Sequence, residues 1–214
     1  MADIFEEVDD DLKEENLKKL WDRYGKYAAA LVVLIIVGAA AGVGWRDYVE
    51  NRQIGYGDEF SRAIELAQAG DNAEAASTLS RLAEDANPGY AMLARFREAA
   101  TRRANNENSA ALDLYETLAE DDSIEPLYRD LAVLLGVIMQ AETGDPAALS
   151  DMLAPLAEGG PWRHSAGEYL GLLALRQGDT AAARKHFQTV ADDAEAPAGI
   201  RARTAELLRT LDRS

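Results

Sequence analysis

Residues 27–45 read YAAALVVLIIVGAAAGVGW, nineteen positions without a charge. As an α-helix rising about 1.5 Å per residue, that run covers roughly 28 Å, close to the hydrocarbon thickness of a bilayer. A helix buried in a soluble core rarely needs such a length free of charge. Its glycines would weaken a helix in water but are tolerated in lipid, where breaking backbone hydrogen bonds costs more. The stretch is expected to be a single transmembrane helix. It divides the chain into a tail over 1–26 with an amphipathic juxtamembrane helix, the span over 27–45, and a domain over 46–214.

The flanks orient the span. Lys18, Lys19, Arg23 and Lys26 precede it closely, against Arg46 and Arg52 after it. Basic residues resist translocation, so the N-terminus is expected in the cytoplasm and residues 46–214 outside it. Trp21, Tyr24 and Tyr27 on one side, and Trp45 and Tyr48 on the other, supply interfacial aromatic belts. A cleaved signal peptide fits less well: its leading region would be long and acidic, and the Ala-x-Ala at Ala39–Ala41 lies mid-span.

The domain beyond the span is long enough for one sizeable core. Net charge is −16, of which −4 lies in residues 1–26 and −12 from Arg46 onward. An acidic domain argues against holding nucleic acid or anionic lipid through bulk charge. There is no cysteine, which excludes disulfides and cysteine-based redox or metal chemistry.

The opening segment MADIFEEVDDDLKEE places Ile4, Phe5, Val8 and Leu12 at roughly helical spacing. It reads either as a solvated tail or as a short amphipathic helix docking on a cytoplasmic partner. Leu17, Leu20, Trp21 and Tyr24 then share one face opposite lysines, as an interfacial helix requires. Inside the span, Gly38-Ala39-Ala40-Ala41-Gly42 is a G-x-x-x-G. It is either a transmembrane helix contact through Gly38 and Gly42 or the chance product of a small-residue composition.

Past Trp45 the apolar period is helical almost throughout, with no alternating strand. Gly-Asp pairs fall at Gly70-Asp71, Gly144-Asp145 and Gly178-Asp179, with Asn105-Asn106 in the longest gap. Prolines at 88, 126, 161 and 197 are spaced 38, 35 and 36 residues apart. A mid-thirties period split by a turn marks stacked helical hairpins. From Pro161 the chain carries Trp162, Leu170-Gly171, Gly178-Asp179, Ala183, Phe187 and then Pro197. This resembles the tetratricopeptide repeat pattern. Gly171 and Ala183 are expected where the paired helices touch, with Phe187 filling the gap to the next hairpin. Looser copies carry Ala63, Ala75, Leu79 and Leu82, then Ala111, Tyr115 and Leu118, then Gly136, Leu149, Leu153 and Leu156. The fold expected is all-α: one N-terminal transmembrane helix, then a tetratricopeptide-like right-handed helical-hairpin solenoid. Leu131–Met139 is apolar throughout and too short to span a bilayer, so it is expected to be a central helix covered on all sides. Thr180–Asp193 and Ala198–Leu211 read as closing helices.

No catalytic constellation is visible, and no cofactor is implied. His164 and His186 fall on different helices without metal-ligand spacing and read as solvated or locally bonded. Asp121-Asp122 and Asp192-Asp193 read as solvation and caps. Arg95, Arg97, Arg102 and Arg103 form the one dense basic cluster, serving internal ion pairs or an acidic partner segment.

Binding is the remaining class. Taking Gly171 as facing its partner helix, an offset of one residue, about a quarter-turn, selects a protein-binding groove. It comprises Glu168, Leu172 and Arg176, with Phe60, Ile64 and Gln68 in the first copy and Val133, Val137 and Gln140 in the third. Val133 and Val137 read more readily as core under a closing helix.

The run LKKLWDRYGKYAAALVVLIIVGAAAGVGWRDYVENRQ, Leu17 to Gln53, resembles the YfgM family of Gram-negative inner-membrane proteins. Trp21, Tyr24-Gly25-Lys26 and Gly44-Trp45-Arg46 carry the likeness. It implies a single-pass inner-membrane protein with a periplasmic C-terminal domain, accompanying the SecYEG translocon. There it would work with a PpiD-type periplasmic chaperone and bind newly exported polypeptides. An alternative implied by the same likeness is an envelope-stress regulator acting through the cytoplasmic segment. The long acidic lead, Asp9 to Glu15, departs from that family.

Overall fold

The computed structural model describes residues 3–213, with the side chains of residues 3–22, 24, 25, 28–30, 32, 33 and 47 outside the described set. Among the described residues there are nine helices and no strand. These are α1 (Asp3–Ala69), α2 (Asn72–Asp85), α3 (Pro88–Ala104), α4 (Asn108–Glu120), α5 (Pro126–Gln140), α6 (Pro146–Ala157), α7 (Arg163–Arg176), α8 (Thr180–Asp192) and α9 (Ala198–Leu211). The chain forms two compact units, Met1–Gly55 and Tyr56–Ser214.

The first unit is helical from Asp3 onward. Tyr27, Leu31, Leu34, Ile35, Ile36, Val37, Val43 and Trp45 all stand exposed. Among the described residues no helix is long and apolar enough to cross a membrane. The span expected over Tyr27–Trp45 includes five residues whose side chains are outside that set. The amphipathic faces read over Ile4 to Tyr24 also lie outside it. A Cβ added at Gly38 or Gly42 would meet nothing within 4 Å.

The second unit is a solenoid-like stack of hairpins: the end of α1 with α2, α3 with α4, α5 with α6, α7 with α8, and α9 last. From α2 to α9, each helix packs on the next. Three turns inside hairpins share one chemistry. Gly70, Asn106 and Gly178 are left-handed, at φ 92°, 63° and 78°. The residue after each closes the helix behind it: the N–H groups of Asp71, Glu107 and Asp179 reach Leu66, Arg102 and Ala174 carbonyls, all at 2.9 Å. That bond with a left-handed residue before it is the Schellman stop, which favours Gly and tolerates Asn. Asp179 then caps the following helix, its Oδ1 accepting the Ala182 N–H at 2.8 Å.

The fourth turn differs. Residues 141–145 link α5 to α6, a longer loop than the other three. Gly144 has an ordinary φ and is needed for space: a Cβ there would come within 3.0 Å of Leu149 Cδ1 and 3.2 Å of Gln140 Cβ.

The core residues expected from the pattern are buried. Ala63, Leu79 and Leu82 make the first cluster with Ala94. Tyr115 and Leu118 join Ala99, Ile124 and Ala132 in a second. Leu149, Leu153 and Leu156 pack with Leu134, Val137, Ala166, Leu170 and Leu173 in a third. Phe187 and Ala183 meet Ala174 beneath Leu207, Leu208 and Leu211 of α9. Full burial of a side chain such as Phe187 contributes about 1.5–3 kcal/mol.

Three polar ties, each 35 residues apart, mark the repeat. Trp162 donates its indole N–H to the Leu127 carbonyl at 2.9 Å. Arg176 reaches the Ala141 carbonyl at 2.8 Å, and Arg203 reaches Glu168. Each joins one repeat to the next.

One expectation is corrected here. Leu131–Met139 is not covered on all sides. Ala132, Leu134, Gly136 and Val137 of α5 are buried, but Leu131, Val133, Leu135, Ile138 and Met139 are only half-buried. Part of α5 stays open, beside α3.

Candidate functional site

Helix α3 carries two stripes. Ala91, Ala94, Glu98 and Thr101 face inward and are buried. Leu93, Phe96, Ala100 and Arg103, two residues on, form a second stripe at the same helical spacing. With Leu131 and Leu135 of α5 they line a cleft of about 440 Å³, bordered by Tyr115 and Tyr128. That volume falls within the roughly 300–1,000 Å³ range of ligand-sized sites. Leu93 remains 46% exposed at its edge.

The charges along α3 are not equivalent. Arg95 pairs with Asp121 at 3.5 Å. Arg102 pairs with Glu98 and Glu107, both at 2.7 Å, and their carboxylates hold its guanidinium above the ordinary range. The buried Arg97 Nε has no partner among the described residues. Arg103 has no carboxylate partner among them, yet its charge acts on two phenols. Burial pushes the Tyr115 hydroxyl upward and Arg103 opposes that shift. Tyr169 is raised first by burial and then by Glu168, with Arg203 and Arg103 opposing.

The residues selected from the sequence lie elsewhere, and none lines this cleft. Phe60 packs on the first core cluster, Ile64 is half-buried and Gln68 is exposed. Val133 packs on the third cluster, in which Val137 is wholly buried. Gln140 is half-buried, its Nε2 donating to the Gly136 carbonyl at 3.4 Å. Glu168 is 5% exposed and held by Arg203. Leu172 is half-buried and packs on the cluster of Ala174, Ala183 and Phe187. Arg176 clamps the α5–α6 turn through the Ala141 and Gly144 carbonyls. Val137 and Glu168 are buried and so do not line an open groove, while Arg176 is exposed and engaged with the α5–α6 turn.

In α5 the two neighbours of Gly136 part company. Val137 follows Gly136 and enters the core; Leu135 precedes it and lines the cleft. Both neighbours of the glycine are apolar, so composition could not choose between them. The second stripe on α3 was the signal available in the sequence.

A second cleft, of about 300 Å³, lies between α6, α7 and α8 and contains both histidines. His164 is buried, not solvated, and its Nε2 lies 2.7 Å from Asp193 Oδ2, 29 residues away. That hydrogen bond is the chief reason the Asp193 carboxyl is held below its ordinary range. Among the described residues no group of three or more acidic or histidine side chains could hold a metal ion.

The hairpin stack, the close approach of Phe187 on α8 to Gly171 on α7 and the polar ties between hairpins meet a family-level match: the model for the tetratricopeptide repeat-like domain matches residues 18–209. The chain belongs to that family. Neither a curated protein nor a solved structure matches it. A tetratricopeptide repeat-like domain is a scaffold for protein–protein interaction, and an all-helical repeat fold of this kind is typically non-enzymatic.

Proposed function

We propose that this tetratricopeptide repeat-like protein is a membrane-anchored scaffold belonging to the YfgM family. The helix over Tyr27–Trp45 tethers it to the bacterial inner membrane, with the N-terminus cytoplasmic and the repeat domain periplasmic. Beside the SecYEG translocon, the domain holds a PpiD-type chaperone and newly exported polypeptides.

The observation that carries the anchor is the exposed apolar run. Leu34, Ile35, Ile36 and Val37 are 59–70% exposed and consecutive. At 100° per residue they point around most of the helix, so one flanking protein surface does not cover them. Eight large apolar side chains from Tyr27 to Trp45 left in water would forfeit on the order of 10–25 kcal/mol, comparable to or above a domain's whole stability. Lipid removes that cost. The basic excess before the span supports the orientation, and the resemblance over Leu17 to Gln53 supports the translocon as the place of work. Tethering raises the local concentration of partner segments without requiring a tight site.

Protease added to spheroplasts should digest residues 46–214, and a pull-down of the full chain in mild detergent should recover translocon subunits and a periplasmic chaperone. Protection of the C-terminal domain would end the topology, and a pull-down lacking both partners would end the translocon assignment.

A further inference from the structure

Both histidines of the chain line one hollow of about 300 Å³ between α6, α7 and α8, which shares no residue with the α3–α5 cleft. We propose that this hollow binds a small aromatic molecule that carries an N–H or O–H donor and no acidic group, its ring against Leu170 and Val190 and its donor on His186. The inference goes beyond the scaffold reading and is independent of membrane, translocon and chaperone.

The size comes from small residues. α6 contributes only the methyl groups of Ala154 and Ala157 to the lining. Nearby, α7 and α8 meet closely: a Cβ on Gly167 would come within 2.8 Å of Val190 Cγ2. The volume stands at the lower end of the ligand-sized range, which suits a bicyclic ring or smaller. A flat ring also has no rotamer freedom to lose on entering, whereas an aliphatic chain of equal size does.

The donor requirement comes from His186. The other polar groups of the hollow are engaged. His164 is buried, with its Nε2 2.7 Å from Asp193. Arg163 pairs with Glu195 at 2.5 Å, and Thr189 Oγ1 donates to the Lys185 carbonyl at 2.9 Å. His186 is half-buried, and its ring makes no hydrogen bond among the described residues. Burial, and then Lys185, hold its pKa below the ordinary 6.5. At neutral pH one ring nitrogen therefore offers a lone pair, and a half-buried acceptor is best satisfied by a donor.

The charge excludes acids. Two carboxylates, Glu158 and Asp193, line the hollow against one guanidinium, Arg163, in a chain of net charge −16. A carboxylate or phosphate entering there meets net repulsion, strengthened by the apolar wall. A neutral donor does not.

The histidines themselves report binding, because the chain has only two and both lie in the hollow. The full chain is purified without a histidine tag, labelled with carbon-13 in its imidazole rings and kept in detergent micelles. Its two ring signals are assigned with His186→Leu. Indole should move the His186 signal saturably. 1-Methylindole, which has the same ring and no donor, should bind roughly tenfold more weakly, a difference of about 1.4 kcal/mol. Indole-3-carboxylate should not bind. In His186→Leu, read through His164, indole should fall to the level of 1-methylindole. Ala154→Phe, at an exposed position, should fill the hollow and abolish the response while helical circular dichroism is unchanged.

Equal binding of indole and 1-methylindole would overturn the proposal, and so would indole-3-carboxylate binding as tightly as indole. Both comparisons use the unsubstituted chain and need no variant to fold. A drift of the histidine signals that never saturates, an unchanged indole affinity in His186→Leu, or a full response in Ala154→Phe would also overturn it. The pull-down that tests the scaffold reading has no bearing on any of these outcomes.

Discussion

Arg203 on α9 holds both carboxylate oxygens of Glu168 on α7, at 2.7 Å each, 35 residues apart. The Glu168 side chain is 7% exposed while that of Arg203 is 60% exposed, so the pair is a buried acid capped from the solvent side. Carboxylates are seldom buried without such a partner. Glu168 is tolerated on the inner side of α7 because α9 supplies the cation.

Removing the cap should cost more than removing the pair. Arg203→Ala leaves Glu168 buried and unpaired, and about 1–3 kcal/mol of stability should be lost, toward the lower end because the arginine is exposed. The double replacement Glu168→Leu with Arg203→Ala should recover most of it. Urea denaturation of the four members of that cycle measures the coupling. A single-variant loss that the double variant does not relieve would contradict the account.

Gly171 has no room for a side chain. A Cβ there would sit 2.3 Å from Phe187 Cε1 and 2.6 Å from Cδ1. Gly171→Ala should therefore destabilise by about 1–3 kcal/mol through overpacking, despite alanine's better helix propensity. Phe187→Leu in the same chain should return part of the loss by making space. Thermal melts followed at 222 nm would show whether the second substitution raises the midpoint.

Glycine serves two purposes in the hairpin turns, and asparagine distinguishes them. Gly178 is left-handed, a conformation asparagine adopts at small cost and alanine at roughly 1–2 kcal/mol. Gly144 is needed for the close approach of Leu149 and Gln140. Gly178→Asn should be tolerated and Gly178→Ala less so. At position 144, asparagine should be at least as harmful as alanine. Denaturation midpoints of the four variants give the ordering.

Acid should loosen the α6–α8 region in two stages. Burial, and then the neighbouring Lys185, hold the His186 pKa below the ordinary 6.5. The folded state thus resists a proton that the unfolded chain accepts. Its stability is full above 6.5 and falls as pH drops from there toward the folded pKa. Asp193 acts at lower pH. Its carboxyl is depressed from 3.8, chiefly by the hydrogen bond with His164, so its contribution is present above 3.8 and lost as pH falls through the folded value. Urea midpoints should decline between about pH 7.5 and pH 5, and His186→Gln should flatten that decline. An equally steep decline in the variant would rule out His186 as its source.

Much of the hairpin stack was legible because its determinants are local. The left-handed positions are Gly or Asn in the sequence, at Gly70, Asn106 and Gly178, and the stripe of core residues repeats at helical spacing. Even the unusual α5–α6 turn was visible as the Gly144-Asp145 pair. The candidate site was less legible. Leu135 and Val137 flank the same glycine, both apolar and a quarter-turn away on opposite sides. One enters the core and the other lines the cleft.

By itself, then, the sequence determined the all-helical class, the hairpin boundaries and the uncharged run over Tyr27–Trp45, because helix period, turn chemistry and charge act over a few residues. Only the tertiary structure decided which side of α3 and α5 stayed open, that both histidines share one cleft, and that Glu168 and Arg176 tie hairpins together. Those outcomes depend on how each hairpin rotates against its neighbour. That rotation is set by the packing of distant side chains, for which the local pattern carries no sign.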